Sequence, residues 1–566
     1  MTTPGSLRIL GGARHLCRFT GQTCHPLLFD STRPHVRIPP ILVRSTLLFI
    51  LLFCYLGSAL GQKAPAHAPD LWKLAKRQAK VHRFSTLFAA SDVRDYLSTT
   101  NGIRDALDWC KRSAVTKVYI ETYRDGYQAE RAALEKARNA FRKAGFEVSG
   151  CVTTTQVGKS SKGWPGISCY TDEATQLRLQ SIFEYAAGLF DEIMIDDFLF
   201  TDCTCTNCAV ARKAKIVIVG THLYPVKGDT WEDYRAELMV RVSQDRILGA
   251  AKKVNPKARI IIKYPQWYDH FQELGYEVIR ETAEFDRIWV GTEARNYEDR
   301  RWGGTPQYES YFLMRWLGGI GGAKCGGGWY DPYGTTEHTY IEQARDTVLG
   351  GAREAMLFCY GSLLRGTGPE DVGALRTNIP ELLKVAKEIG HRQIVGLAAY
   401  KPPNSHAGRE GKIFDFVGML GLPLVPCHVF PTNALAAFFS YHATKDPQFS
   451  SELGAFIKTG KPVLITDGLF RALGGRAELQ TTNVHILKVK SDPKSLRDLS
   501  QKELDDLRQP LLRPFKTTFH CTNQAALFLF KDRSWVVENF NDTAISAELN
   551  GKILNVPARG WVYQWR

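Results

Sequence analysis

From about residue 83 to about residue 360 the chain alternates short apolar runs with amphipathic stretches. Apolar runs of roughly four to eight residues, separated by segments of helical period, read as buried parallel strands joined by helices. Eight such runs fall at 83–89, 117–122, 147–154, 192–198, 259–264, 287–292, 327–331 and 355–360. Helical periodicity lies between them, at 128–144, 175–189, 231–254, 268–282 and 337–349. The pattern predicts an α/β fold, with a closed (β/α)8 TIM barrel over residues 63–378. A doubly wound sheet is the alternative, but it normally stops at fewer strands.

Downstream the texture changes. A helix at 381–388 leads to short runs at 394–399, 413–416, 425–429 and 462–466. A helix at 453–459, a stop at Gly460 and a buried strand follow in series. A small three-layer α/β domain is expected over 379–475. The remainder, 476–566, has alternating runs at 526–530, 535–539, 545–549 and 560–565, broken by Asn-Asp and Asn-Gly turns, as in a small β-sandwich.

Charge and composition add constraints. The net charge is +15, and the six Arg and one Asp up to Gly61 account for a third of it. The rest is spread without basic clusters or aromatic interleaving, so a nucleic-acid partner is not expected. Residues 47–56 form an apolar stretch after Arg44 and before small residues ending in Ala59-Leu60-Gly61, the outline of a signal peptide. The stretch is short for a membrane span. Residues 1–62 are therefore read as an extension plus signal peptide of an exported, periplasmic or extracellular protein. Two explanations fit the preceding forty residues: initiation near Val43, or a signal anchor with a cytoplasmic tail.

Acids at the carboxyl ends of barrel strands lie where α/β barrels build their sites. Strand four ends in Asp196-Asp197, strand two in Glu121, Tyr123 and Arg124, and strand five runs into Lys263, Gln266 and Trp267. Strand six brings Glu293 and Arg295, strand seven Trp329, Tyr330 and Asp331, and strand eight Tyr360. Carboxylates, cations and large aromatics on one rim are the inventory of a saccharide site. Asp197 or Asp196 is expected as nucleophile or electrostatic stabiliser and Glu293 as general acid/base, with Asp331 in reserve. Glu121, Lys263, Gln266, Trp267, Arg295, Trp329, Tyr330, Asp331 and Tyr360 are expected to bind substrate, an oligo- or polysaccharide. Adjacent strand residues point to opposite faces, so one Asp should serve the site while the other caps backbone amides. Glu293 has the blander alternative of an ion pair with Arg295 or Lys263. A non-catalytic carbohydrate-binding protein on a degenerate barrel is the second hypothesis. A zinc-dependent hydrolase is a weaker third.

Cys203, Cys205 and Cys208 form a CxCxxC cluster after the Asp pair. Three thiols there can clasp a structural zinc if Cys169 or Cys325 supplies the fourth ligand; a local disulfide plus a free thiol is the alternative. No other cofactor is required. The Gly-rich run 318–328 lacks the order of a dinucleotide loop, and no H-E-x-x-H, Walker A or G-x-S-x-G motif occurs.

The order of regions resembles that of glycoside hydrolases with a barrel, an amidotransferase-like middle domain and a small β domain, such as the family 42 β-galactosidases and related uncharacterised bacterial proteins. Residues 461–468 (KPVLITDG) and 535–541 (WVVENFN) carry the resemblance. In family 42 both reacting acids are Glu, on strands four and seven. Here strand four offers Asp and the clearest Glu is on strand six, an arrangement more similar to the α-galactosidase clan. The middle domain resembles class I amidotransferases in fold only. Pro426-Cys427-His428 forms no nucleophile elbow, so a lid or assembly role is implied, including homo-oligomerisation.

Overall fold

The computed structural model describes residues 70–295 and 304–566; the expected extension and signal peptide, 1–62, lie outside them. Eight parallel strands close into a barrel: β1 Arg83–Phe88, β2 Val115–Arg124, β3 Glu147–Val152, β4 Glu192–Ile195, β5 Arg259–Tyr264, β6 Arg287–Gly291, β7 Cys325–Tyr330 and β8 Glu354–Leu357. Each pairs with its sequence neighbours, and β1 pairs with both β2 and β8, which completes the ring.

One residue from every strand fills the interior: Leu87, Tyr119, Cys151, Met194, Ile261, Trp289, Trp329 and Met356. Residues alternating with them face the outer helices, so the strands are apolar on both faces. The Gly-rich run is explained by this packing. A Cβ on Gly326 would meet Trp289 at 2.0 Å, and one on Gly327 would meet the Glu354 carbonyl at 2.2 Å. Glycine on β7 lets the indole fill the barrel.

Two predicted helices are modified. The 231–254 helix runs through a π-helical turn at Ser243–Leu248. The 268–282 helix is split into Phe271–Leu274 and Val278–Glu284, because Gly275 adopts φ +92° between them.

Beyond the barrel lies a five-stranded parallel sheet: β9 Leu397–Tyr400, β10 Leu424–Cys427, β11 Ala437–Phe439, β12 Val463–Thr466 and β13 Val484–Leu487. Its order is β10-β9-β11-β12-β13, a doubly wound arrangement. Two expectations change here. Residues 413–416, read as a strand, form the helix Ile413–Gly418. Val484–Leu487, assigned to the C-terminal region by the 475/476 boundary, is the fifth strand of this sheet, paired with β12.

The C-terminal region has two small antiparallel sheets. One holds β14 Phe519–Cys521, β17 Ile545–Leu549 and β18 Lys552–Val556. The other holds β15 Ala525–Phe530, β16 Trp535–Asn539 and β19 Trp561–Gln564, with Ile394–Val395 added at the edge of β15. Asn550 and Gly551 turn between β17 and β18 with φ +52° and +78°, the two left-handed positions a tight hairpin requires.

Candidate active site

At the carboxyl ends of the barrel strands the chain buries a cluster of charges. Five carboxylates (Glu121, Asp196, Asp197, Glu293, Asp331) and Lys263 are all under one-tenth exposed. Arg124 and Arg295 close the cluster, with side chains 17% and 11% exposed. Three cations cannot neutralise five ionised carboxylates away from water, so the burial itself requires protons to be held there.

Lys263 is the centre. Its Nζ donates to Glu293 Oε1 at 2.6 Å and to Asp197 Oδ2 at 3.0 Å, lies 3.7 Å from Asp196 Oδ1, and sits 4.0 Å from the centre of the Trp329 ring. Burial opposes its charge, but the three acids hold its pKa above the ordinary lysine value.

Asp196 is served separately. Arg124 Nη2 donates to its Oδ2 at 2.6 Å, Thr153 Oγ1 to the same oxygen at 3.2 Å, and the Asp197 amide to its Oδ1 at 2.8 Å. Burial alone would raise its pKa; Lys263 and Arg124 overcome that and hold it below the carboxylate range. Asp197 has fewer donors. Burial, with the charges of Asp196 and Glu293, pushes it up to about 8 despite Lys263. Glu293 is also raised, by burial first and then by Asp331, against the pull of Lys263. With its amide N–H facing the carboxylate, Gln266 donates to Glu293 Oε2 at 3.1 Å and accepts from Arg295 Nη1 at 3.0 Å. Arg295 in turn grips Asp331 through Nε, at 3.3 Å, and Nη2.

The expectation that the two Asp residues face opposite ways does not hold. β4 ends at Ile195, so both lie beyond the pleat and converge on Lys263. Asp196 combines the two roles, binding a backbone amide with one oxygen and Arg124 with the other.

The remaining expected residues divide. Glu121 is wholly buried and accepts from Ala90 N at 2.7 Å, Arg124 Nε at 2.9 Å and Thr153, so it orients Arg124 instead of facing the opening. Trp329 is 1% exposed and belongs to the barrel interior beneath Lys263. Trp267 stands half-buried in an aromatic wall with Trp164, Phe198 and Phe200, ring centres 5.0, 6.3 and 5.8 Å away. Two residues are misplaced by the sequence reading. Tyr330 alternates outward from Trp329 and packs on Tyr340. Tyr360 begins a short helix, and its ring lies among Phe88, Tyr96 and Trp109 on the outer side.

The family model for a "Probable glycosyl hydrolase, catalytic domain" matches residues 68–374, more than half of the chain. The chain belongs to this glycosyl hydrolase family. The matched span ends beyond β8 and includes every carboxylate of the cluster. An uncharacterised protein of Saccharolobus solfataricus is 27% identical over 345 residues, covering 57% of this chain and 56% of the relative; the chain thus spans little over half the length of that relative. Among solved structures, α-L-fucosidase isoenzyme 2 from Paenibacillus thiaminolyticus aligns over 85% of this chain and 98% of its own, with TM-score 0.56 and 8% identity. The GH42 β-galactosidase Gan42B aligns over 86% and 98%, with TM-score 0.55 and 9% identity. These two likenesses concern the fold.

The candidate site contains residues the sequence reading passed over. Thr153 lies just past the end of β3 and was legible as a strand-end residue. Phe358 stacks on Trp329, ring centres 5.2 Å apart, under the Arg124 guanidinium, with Tyr333 beside it. Trp164 comes from the long loop after β3, which carries no periodicity. That loop also brings Cys169 to Cys203, Cys205 and Cys208, the four Sγ atoms lying within 4.8 Å of one another. Cys169 is 3.8 Å from Cys205 and 3.4 Å from Cys208, and Cys205 is 3.6 Å from Cys208. Cys325, the other expected donor, is the first residue of β7 and so sits at the opposite end of the barrel.

Proposed function

We propose that this glycosyl hydrolase is an exported, retaining glycosidase in which Asp197 is the general acid/base and Glu293 the nucleophile. The observation that carries the reading is the shared ammonium group of Lys263. Two oxygens that contact one nitrogen at 3.0 and 2.6 Å lie closer together than the roughly 6.5 Å at which inverting separations begin. One cation between two buried carboxylates favours one ionised and one protonated acid. Glu293, with donors on both oxygens, suits the ionised form; Asp197, raised to about 8, suits the protonated one. The roles expected from sequence are thereby exchanged.

In the first step Glu293 attacks the anomeric carbon, the glycosidic C–O bond breaks, and the Asp197 proton passes to the leaving oxygen. In the second, Asp197 takes a proton from water, which displaces Glu293. Asp196, fixed by Arg124 and kept anionic, stabilises the positive charge that develops on the ring. The wall of Trp164, Phe198 and Trp267 offers apolar faces to a pyranose. Export rests on the signal-like segment at 47–56.

The thiol cluster fits one structural zinc ion held by Cys169, Cys203, Cys205 and Cys208. Tetrahedral zinc with Zn–S of about 2.3 Å separates its sulfurs by about 3.8 Å, close to the separations here. Such an ion would tie the loops after β3 and β4 together and take no part in bond cleavage.

The test is a series of aryl glycosides of increasing leaving-group ability. Asp197→Asn should lose about 10²–10⁴-fold on poor leaving groups and much less on activated ones, and the alkaline limb near pH 8 should vanish. Glu293→Gln should lose turnover on all of them. Full activity in both variants defeats the assignment; saccharide binding by a wild-type protein that never turns over points to a binding module.

A further inference from the structure

Lys412 belongs to the segment between β9 and β10, outside the barrel, yet its side chain ends against the site. Its Nζ donates to the backbone carbonyl of Gln266 at 2.8 Å and pairs with the carboxylate of Glu309. The same ammonium lies 4.7 Å from the centre of the Tyr268 ring. The Lys412 amide donates to Asp269 Oδ2 at 2.8 Å. Its backbone is held at φ 61°, a left-handed conformation that a non-glycine residue keeps only where surrounding contacts impose it.

Two of these partners lead to Glu293. Gln266 carries Lys412 on its carbonyl and Glu293 on its side-chain amide. Glu309 opens the helix Glu309–Gly321, four residues after Thr305. The Thr305 hydroxyl donates to the Glu293 carbonyl at 3.2 Å and accepts the Arg295 amide at 2.9 Å. The loop after β5 and the segment approaching this helix therefore enclose Glu293, and a single cation from the middle region fastens both.

We infer that Lys412 is a positioning residue: by bridging the Gln266 carbonyl and Glu309 it fixes the backbone from which Glu293 and its Gln266 clamp project. This rests on the reading of Glu293 as a reacting carboxylate. It gives the middle region a share in building the site, instead of only covering it. A misplacement of about 1 Å in such a frame costs on the order of 10²-fold in rate, and the loss falls on the transition state.

The experiment compares Lys412→Met and Lys412→Arg in the full chain. Lys412→Met should lower kcat by about ten- to a hundredfold with KM changed less than about threefold. It should also shift the limb of the pH profile that reports the carboxylate pair, and Lys412→Arg should recover part of kcat. An unchanged kcat and profile, or equal losses in both variants that follow the folded fraction measured by near-UV circular dichroism, would overturn the inference. A crystal structure of Lys412→Met decides it without turnover: Gln266 and Glu293 displaced supports it, both unmoved overturns it. Absence of glycosidase activity in the wild type would sink the catalytic reading, while the crystallographic comparison still judges Lys412.

Discussion

Gly291 ends β6 two residues before Glu293, and its hydrogen faces the tightest part of the site. A Cβ there would lie 2.5 Å from Glu293 Oε2, 3.0 Å from the Gln266 amide nitrogen and 3.1 Å from Pro265 Cα. The carboxylate or the β5 loop must move to admit a methyl group. Gly291→Ala should therefore destabilise the fold by about 1–3 kcal/mol and lower kcat more than tenfold. Thermal melting and steady-state kinetics read the two effects, and unaltered turnover would show that Glu293 tolerates displacement. At this scale the sequence was half legible. Asp196, Asp197, Lys263, Glu293 and Arg295 were expected on one rim because each lies at or just past the end of a recognisable strand, and the structure brings them together there. The contrast between Asp196, held low, and Asp197, raised to about 8, was not, because it depends on where β4 stops and on which acid Arg124 reaches. Tyr330 was misread because alternation turns every second strand side chain outward, and Tyr360 because β8 stops at Leu357 and Tyr360 opens a short helix.

Elements were more legible than their fine structure. All eight barrel strands were recognised, since a strand buried on both faces leaves a continuous apolar run. Residues 413–416 misled because a short apolar run fits strand and helix equally, and Ala437–Phe439 is too short to show any period. Loops leave no such trace, and the loop after β3 matters most. Asp202 accepts from the Trp164 amide at 2.6 Å and from the Ser161 hydroxyl, while Thr201 donates to the Ser168 carbonyl at 3.0 Å. These bonds lock the loop after β3 onto the loop after β4, next to the four thiols. If one zinc ion joins them, the full chain purified without chelator should carry about one zinc per molecule by elemental mass spectrometry. Cys208→Ser should lose it and Cys359→Ser should keep it. In the metal-depleted protein the aromatic wall loosens, so KM should rise more than kcat falls. Metal-free wild-type protein, or a mass two hydrogens lighter from a disulfide among these cysteines, would remove the clasp.

On the scale of the whole molecule, the barrel and the C-terminal sheets meet over a second buried acid cluster. Glu342 and Asp346, on the helix Glu337–Leu349, face Glu538 of β16, and all three are at most 1% exposed. Their cations are few. Arg345 lies 3.9 Å from Glu538 and donates to the Arg559 carbonyl at 2.7 Å. Arg559 Nη1 is 3.3 Å from Glu342, and its Nε is shared with Asp542 at 2.7 Å. Tyr308, which caps the helix Glu309–Gly321, Tyr311 within that helix and the ring of Trp561 lie nearby. Burial raises Glu342 to about 7 and Glu538 to about 8, and raises Asp346 as well. Acids raised on folding bind more protons in the native than in the unfolded chain between their ordinary pKa and the raised value. Their stabilising contribution is thus complete below the ordinary carboxylate range and, for Glu342 and Glu538, is lost as pH climbs to about 8, at up to about 1.4 kcal/mol per pH unit for each proton. Asp197 titrates in the same window, so wild type alone does not isolate the junction. Glu538→Gln does. Near pH 5, where Glu538 is protonated, variant and wild type should melt alike. Above pH 8 the variant should be more stable by up to about 4 kcal/mol, because an amide no longer ionises opposite Glu342 and Asp346. Parallel melting curves across that range would mean that Arg345 and Arg559 already balance the acids, and that the C-terminal sheets stay docked by apolar packing irrespective of pH.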